Sequence, residues 1–136
     1  MIRAKVLGQR SLAKRLKALE RAQRTKLKDA TAVSLAEVRE AARQNIRAQT
    51  RAATSSGALA RSVKVRTDPD GLGGSVGTDL PHGRFLEFGT RRMPARPWLQ
   101  PAFESLKPRI RRRFQEAVKA ANRSAARGGS GEGIDV

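Results

Sequence analysis

The chain has 136 residues, with 29 lysines and arginines against 12 aspartates and glutamates, a net charge of +17, one histidine and no cysteine. That length suits one domain with a modest core, and the missing thiols exclude disulfides, thiolate zinc sites and cysteine nucleophiles together. Charge of this size on a small domain points to a polyanionic partner, either nucleic acid or an acidic protein surface. No apolar run is long enough for a signal peptide at the start or for a bilayer span further on, so the expected setting is the cell interior or a particle assembled there, with no membrane contact.

At the N-terminus Ile2, Ala4 and Val6 alternate with Arg3 and Lys5, the two-residue period of a short strand, and Gly8 marks a turn. From Ser11 to Arg51 there is neither glycine nor proline, and alanine, leucine, lysine, arginine and glutamate dominate, all favourable in helices. Leu12, Leu16 and Leu19, then Leu27, Ala30, Val33, Ala41 and Ile46, follow helical spacing, with an interruption of the apolar phase from Gln23 to Lys26. The segment reads as one long bent helix or as two helices meeting there. A continuous helix of ~40 residues extends roughly 60 Å, so part of it must project or pack on another subunit.

Thr54-Ser55-Ser56-Gly57 is a turn cluster. Leu59, Arg61, Val63 and Val65, interleaved with Ser62, Lys64 and Arg66, predict a half-buried strand. Asp68-Pro69-Asp70-Gly71 has the chemistry of a tight turn, and a second strand from about Leu72 to Thr78 completes a hairpin. Pro81 to Phe88 fits a third strand or a short helix; Phe85 and Phe88 at i,i+3 and Gly89 after them favour the helix. Leu99, Ala102, Phe103, Leu106, Ile110, Phe114, Ala117, Val118 and Ala121 then form one stripe at helical spacing, with Pro101 and Pro108 towards its start. The expected architecture is α+β: a small antiparallel sheet with a long N-terminal helix and a C-terminal amphipathic helix. It forms a single domain over residues 1–127, followed by a flexible Gly/Ser-rich tail at 128–136.

The residues offer little to a catalyst. His82 stands alone, and one imidazole without cysteine makes no typical zinc site. Most carboxylates are isolated among bases, while Asp68 and Asp70 belong to a turn. Gly71-Leu72-Gly73-Gly74 lacks the lysine and following helix of a phosphate-binding loop. We expect no enzyme, cofactor, metal or small-molecule substrate. The bases form two groups: Arg10, Lys14, Arg15, Lys17, Arg21, Arg24, Lys26 and Lys28, and Lys107, Arg109, Arg111, Arg112, Arg113, Lys119, Arg123 and Arg127. Between residues 10 and 28 only Glu20 is acidic. Without a base-reading fold, such groups suit phosphate backbones regardless of sequence or acidic protein surfaces. On charge alone the alternative is a non-specific nucleic-acid-binding protein of nucleoid or ribosomal type.

Glu87-Phe88-Gly89-Thr90-Arg91-Arg92-Met93-Pro94-Ala95-Arg96-Pro97-Trp98 combines a glycine stop, three arginines, two prolines and an aromatic anchor. Each proline fixes its own φ and pushes the preceding residue towards extended geometry, so a stiff loop is expected from Arg92 to Pro97. Trp98 and Phe103 are expected to bury large areas and anchor this loop to the last helix. Arg91, Arg92 and Arg96 are then presented for carboxylate contacts, with Glu87 either accepting from a neighbouring subunit or pairing with Arg96 in the same chain.

The same residues resemble a known family. Ser56-Gly57-Ala58-Leu59-Ala60-Arg61-Ser62-Val63 is similar to its "TGxLxxSI" element. Leu86-Glu87-Phe88-Gly89-Thr90 followed by Pro94 to Phe103 resembles its "EFGT…PARPFLRPAF" signature, with Trp98 where phenylalanine is more usual. Where members often carry a Tyr-Ala pair, this chain reads His82-Gly83. This is the tail-component family of long-tailed bacteriophages (neck, tail-completion or minor tail proteins). The resemblance implies a virion structural protein at the head–tail joint, forming a ring of about six or twelve copies around the DNA channel. Its implied neighbours are connector or head-closure proteins, tail-terminator or tail-tube proteins, and double-stranded DNA. In such a ring the bases must point away from shared interfaces, because their mutual repulsion would otherwise oppose assembly.

Overall fold

The computed structural model describes residues 10–49 and 57–129. Along the chain these form α1 (Arg10–Gln49), α2 (Ala58–Ser62), β1 (Lys64–Thr67), β2 (Gly74–Gly77), α3 (Pro81–Phe88) and α4 (Gln100–Gly129). The strand expected at residues 2–7, most of the Thr54–Gly57 turn and residues 130–136 lie outside the described residues.

The long N-terminal segment is a single helix of 40 residues. Where its apolar phase lapses, Gln23 donates from Nε2 to Asn122 Oδ1 on α4 at 3.3 Å, so the interruption is a polar pair between helices and not a break. Further polar links join Arg113 to Ser34, Asn45 to Trp98 and Gln49 to Pro97. As the residue number rises along α1 its partner's number falls, so α1 and α4 run antiparallel. Small buried residues line the contact, with Ala30, Thr31, Ser34 and Ala42 on α1 and Ala102 and Ala121 on α4, and they let the two helix axes approach closely. The Thr31 hydroxyl is satisfied within its own helix by the Leu27 carbonyl at 2.8 Å.

The stretch expected as one strand from Leu59 to Arg66 is divided between α2 and β1. Leu59 and Val63 are two alternate positions apart, but they are also one helical turn apart, so the spacing fits either period. Two observations decide for the helix. Gly57 adopts φ +73° and its carbonyl accepts from Arg61 N–H at 3.1 Å; consecutive Leu59 and Ala60 are both buried, which a half-buried strand does not allow. β1 then pairs with β2 antiparallel, from Lys64 opposite Gly77 to Thr67 opposite Gly74. The predicted turn joins them: Asp68 accepts from Gly71 N–H at 2.9 Å and donates to the Gly73 carbonyl at 3.0 Å, and Gly71 has φ +72°.

At the open end of the hairpin Asp79 receives Lys64, with Arg66 at 3.4 Å. The hydrogen bond from Lys64 and its charge hold the Asp79 carboxyl below its usual value against an opposing desolvation, with the Arg66 charge adding least. A lowered carboxyl pKa contributes stability above the unfolded value and loses it as pH falls through the folded one.

The core lies at one end of the α1–α4 pair, where Ala42 and Ile46 meet Leu59, Ala60, Val63, Leu86, Trp98 and Ala102. Ile46 is 1% exposed. Truncating it, Ile46→Ala, is expected to lower unfolding free energy in urea by about 2–5 kcal/mol. Val33→Ala, on the half-exposed side of the same helix, should stay within about 0.5 kcal/mol.

Candidate functional site

Helix α3 ends where Gly89 takes φ +75° and ψ 175° and donates its N–H to the Phe85 carbonyl at 2.8 Å. That backbone region is open essentially to glycine alone. The chain then doubles back tightly: a Cβ on Gly89 would stand 2.8 Å from Ala95 N and 2.9 Å from Met93 O. Thr90 shapes the turn, its hydroxyl accepting from Arg92 N–H at 3.3 Å and Met93 N–H at 3.1 Å. Arg96 N–H donates to the Leu86 carbonyl at 2.7 Å, tying the Pro94–Pro97 segment to α3.

The Glu87 carboxylate closes the unit. Oε2 accepts from Trp98 N–H at 2.8 Å and Leu99 N–H at 2.9 Å, and Oε1 accepts from Gln100 N–H at 3.0 Å. Leu99 supplies the first helical carbonyl of α4, to Phe103 N–H at 3.0 Å, yet has no side-chain oxygen with which to cap, and the first turn of α4 has no acid. Glu87 therefore supplies, from another helix, the acceptors and negative charge that a helix start requires. It pairs with no arginine among the described residues, Arg96 included.

Trp98 is the centre of this arrangement. Its side chain is buried, Nε1–H donates to the Gly83 carbonyl at 2.9 Å, and its own carbonyl accepts from Asn45 at 3.0 Å. Gly83 gives the indole room, since a Cβ there would lie 3.3 Å from the ring and closer still to Thr78. Trp98 and Gly83 thus meet each other, the indole lying where a side chain at position 83 would crowd it. Asn45 and Gln49 of α1, which hold the carbonyls of Trp98 and Pro97, carried no signal in the sequence, because their partners lie about fifty positions away.

Around this rigid unit the remaining residues face outward. Phe103, expected to be buried, is 46% exposed, and Phe88 is 75% exposed; both line a groove with Gly83, Arg84 and Gln100. Phe103 misses the α1 contact because α4 buries the neighbouring Ala102 against it instead. Val118, also in the expected stripe, lies at the exposed margin. Arg91, Arg92 and Arg96 are exposed, as are Pro94 and Pro97, and the arginines make no ion pair among the described residues.

The two basic groups are placed differently from each other. Arg10 and Arg15 lie in the first turns of α1, and Lys14, Lys17, Arg21 and Arg24 are exposed along it. On α4, Arg109, Arg111 and Arg112 are exposed, and Lys107 lies 3.9 Å from Glu104 and over the Phe103 ring. Arg113 turns inward, donating to Ser34 Oγ at 3.0 Å and Glu37 Oε1 at 2.6 Å; it braces α1 against α4.

The family model described as "Bacteriophage HK97-gp10, putative tail-component" matches residues 10–89, more than half of the chain. The chain belongs to this family. That makes it a structural component of the phage tail and places it in the virion. The matched region runs from α1 through the hairpin to Gly89 and ends before the Arg91–Phe103 segment. No curated protein and no solved structure matches the chain. No helix is long and apolar enough to cross a membrane among the described residues.

Glu87→Ala removes three acceptor contacts at once and is expected to cost about 2–4 kcal/mol in chemical denaturation. Glu87→Gln, which keeps one acceptor oxygen, should cost less, and Glu104→Gln on the exposed face of α4 should change stability by less than about 1 kcal/mol. Gly89→Ala should destabilise by about 1–3 kcal/mol through backbone strain, with added cost from the Ala95 clash.

Proposed function

We propose that this tail component is a non-enzymatic subunit of the head–tail joint, and that its copies close into a ring around the DNA channel, between the connector or head-closure proteins and the tail-terminator or tail-tube proteins. The observation that carries the reading is Phe88: a large aromatic side chain, three-quarters exposed, on a helix immobilised by Glu87 and Trp98. An exposed aromatic on a rigid support, continuous with further apolar surface, is the mark of an interaction site. The apolar band passes from Phe88 across Phe103 to a second groove lined by Leu35, Leu72, Ile110 and Phe114. Its occupant in this reading is the next copy of the chain.

The exposed Arg91, Arg92 and Arg96 sit beside this band on a loop held at both ends. They are suited to bidentate contacts with carboxylates on an adjacent subunit or ring. One of the two basic helices borders the DNA, which keeps like charges out of the subunit contacts.

Mass photometry of the purified protein, alone and with its connector partner, is expected to show closed species of about six or twelve copies. Phe88→Asp combined with Phe103→Asp should leave monomers of unchanged helix content. Particles produced without the protein should appear in electron micrographs as tailless heads beside unjoined tails; normally tailed particles would overturn the reading.

A further inference from the structure

Lys14, Lys17, Arg21, Arg24 and Lys28 follow one another at spacings of three, four, three and four, so they fall on one line along α1. All five are exposed, and none makes an ion pair among the described residues. The same spacing continues through Thr31, Leu35, Val38 and Ala42, which are buried or half-buried. Leu35 lies against the hairpin, where a Cβ on Gly74 would strike it, and the Lys28 stem lies against the turn, with Cγ 3.0 Å from the Cβ position of Gly71. One face of α1 is therefore apolar beneath the hairpin and basic where the hairpin stops. Two acids of α1 stand near the row, Glu20, three residues after Lys17 and four before Arg24, and Asp29, next to Lys28; neither makes an ion pair with it among the described residues.

We infer that this line is a binding ridge for the phosphate backbone of duplex DNA, read without regard to sequence. It runs about 21 Å from Lys14 to Lys28 at 1.5 Å per residue, a length over which a duplex carries roughly twelve phosphates. Three features favour this partner. The row holds charges alone, whereas the cores of protein interfaces are depleted of lysine and enriched in apolar and aromatic groups. No aromatic residue occurs in α1, which leaves no platform for stacking the bases of a single strand. The row also makes no ion pair among the described residues, and its like charges at i,i+4, Lys17–Arg21 and Arg24–Lys28, cost the isolated helix stability that a polyanion restores.

The bases of α4 do not form such a surface. Arg113 is committed to Ser34 and Glu37, Lys107 lies near Glu104, and Lys119 near Glu116 at 3.7 Å. Of the others, Arg111 stands off the line that Arg109, Arg112, Lys119 and Arg123 share, and that line is interrupted by Glu116, the partner of Lys119. The ridge deepens the reading of a subunit that borders DNA and rests on it only for biological setting, because the ridge is present on the single chain.

Fluorescence anisotropy of a labelled random-sequence duplex, titrated with the full chain over a range of salt, tests the assignment. Each phosphate contact contributes about −0.9 to the slope of log affinity against log salt. The triple variant Lys17→Gln, Arg21→Gln, Arg24→Gln is therefore expected to reduce the magnitude of the slope by about 2.7 and to weaken binding at least tenfold at low salt. The matched α4 variant Arg109→Gln, Arg111→Gln, Arg112→Gln removes the same charge and should change the slope by less than about 1. Equal losses in both variants would overturn the ridge in favour of diffuse net charge. Absence of salt-dependent binding by the wild-type chain, including a preference for an acidic protein over DNA, would overturn it as well. Mass photometry on the same samples separates the two proposals: DNA binding by a chain that forms no rings refutes the ring and supports the ridge, and rings that bind no DNA do the reverse. Glutamine is a good helix former and the substituted side chains are exposed, so circular dichroism should confirm intact helices in both variants.

Discussion

The structure depends on a carboxylate that caps a helix to which it does not belong. Glu87 sits near the end of α3, and its two oxygens hold the N–H groups of Trp98, Leu99 and Gln100. Without that contact α4 starts with uncapped donors beside a proline-rich loop, and α3 is left joined to the body through Leu86 in the core and the bonds of Trp98 and Arg96 to it. With it, α3, the loop and the first turn of α4 form one unit. A charged acceptor is stronger here than a neutral one, because it meets both the donors and the positive end of the helix dipole.

That unit is anchored from the other side by α1. Asn45 and Gln49 take the carbonyls of Trp98 and Pro97, so the last turns of the long helix hold the loop in place. The rest of α1 pairs with α4 through small side chains and a few cross-helix polar contacts, Arg113 with Ser34 and Glu37 being the most enclosed. The result is a division of labour along a single pair of helices. One end carries the core, the hairpin and the clamped loop; the other presents bases to its surroundings. In the proposed assembly such a subunit joins neighbours at one end while the bases of residues 10–28 lie away from the join.

Local chemistry made several features legible in the sequence. Gly89 was recognisable as a helix stop, Asp68 to Gly71 as a turn, and the glycine- and proline-free run from Ser11 as helix, because each depends on a residue's own conformational preferences. Other features were not. Leu59 and Val63 satisfied a strand period and a helix period alike. Phe103 lay in an apolar stripe wider than the partner helix could cover, and the width of such a stripe does not say which edge is left out. Arg113 was indistinguishable from Arg112 until α1 was placed beside it.

The sequence by itself determined where the two long helices run, where the chain turns, that it carries a large positive charge, and which family it resembles, since these follow from residue types and their spacing. Tertiary structure alone decided what Glu87 does. Its length, charge and position before a glycine are compatible with an arginine partner or with a helix cap, and the choice depends on which donors the fold brings within 3 Å. It likewise decided that Lys107, Arg113 and Lys119 of α4 lie against acids while the row on α1 makes no ion pair among the described residues. Pairing and burial depend on groups distant in the chain, and only packing brings those groups together.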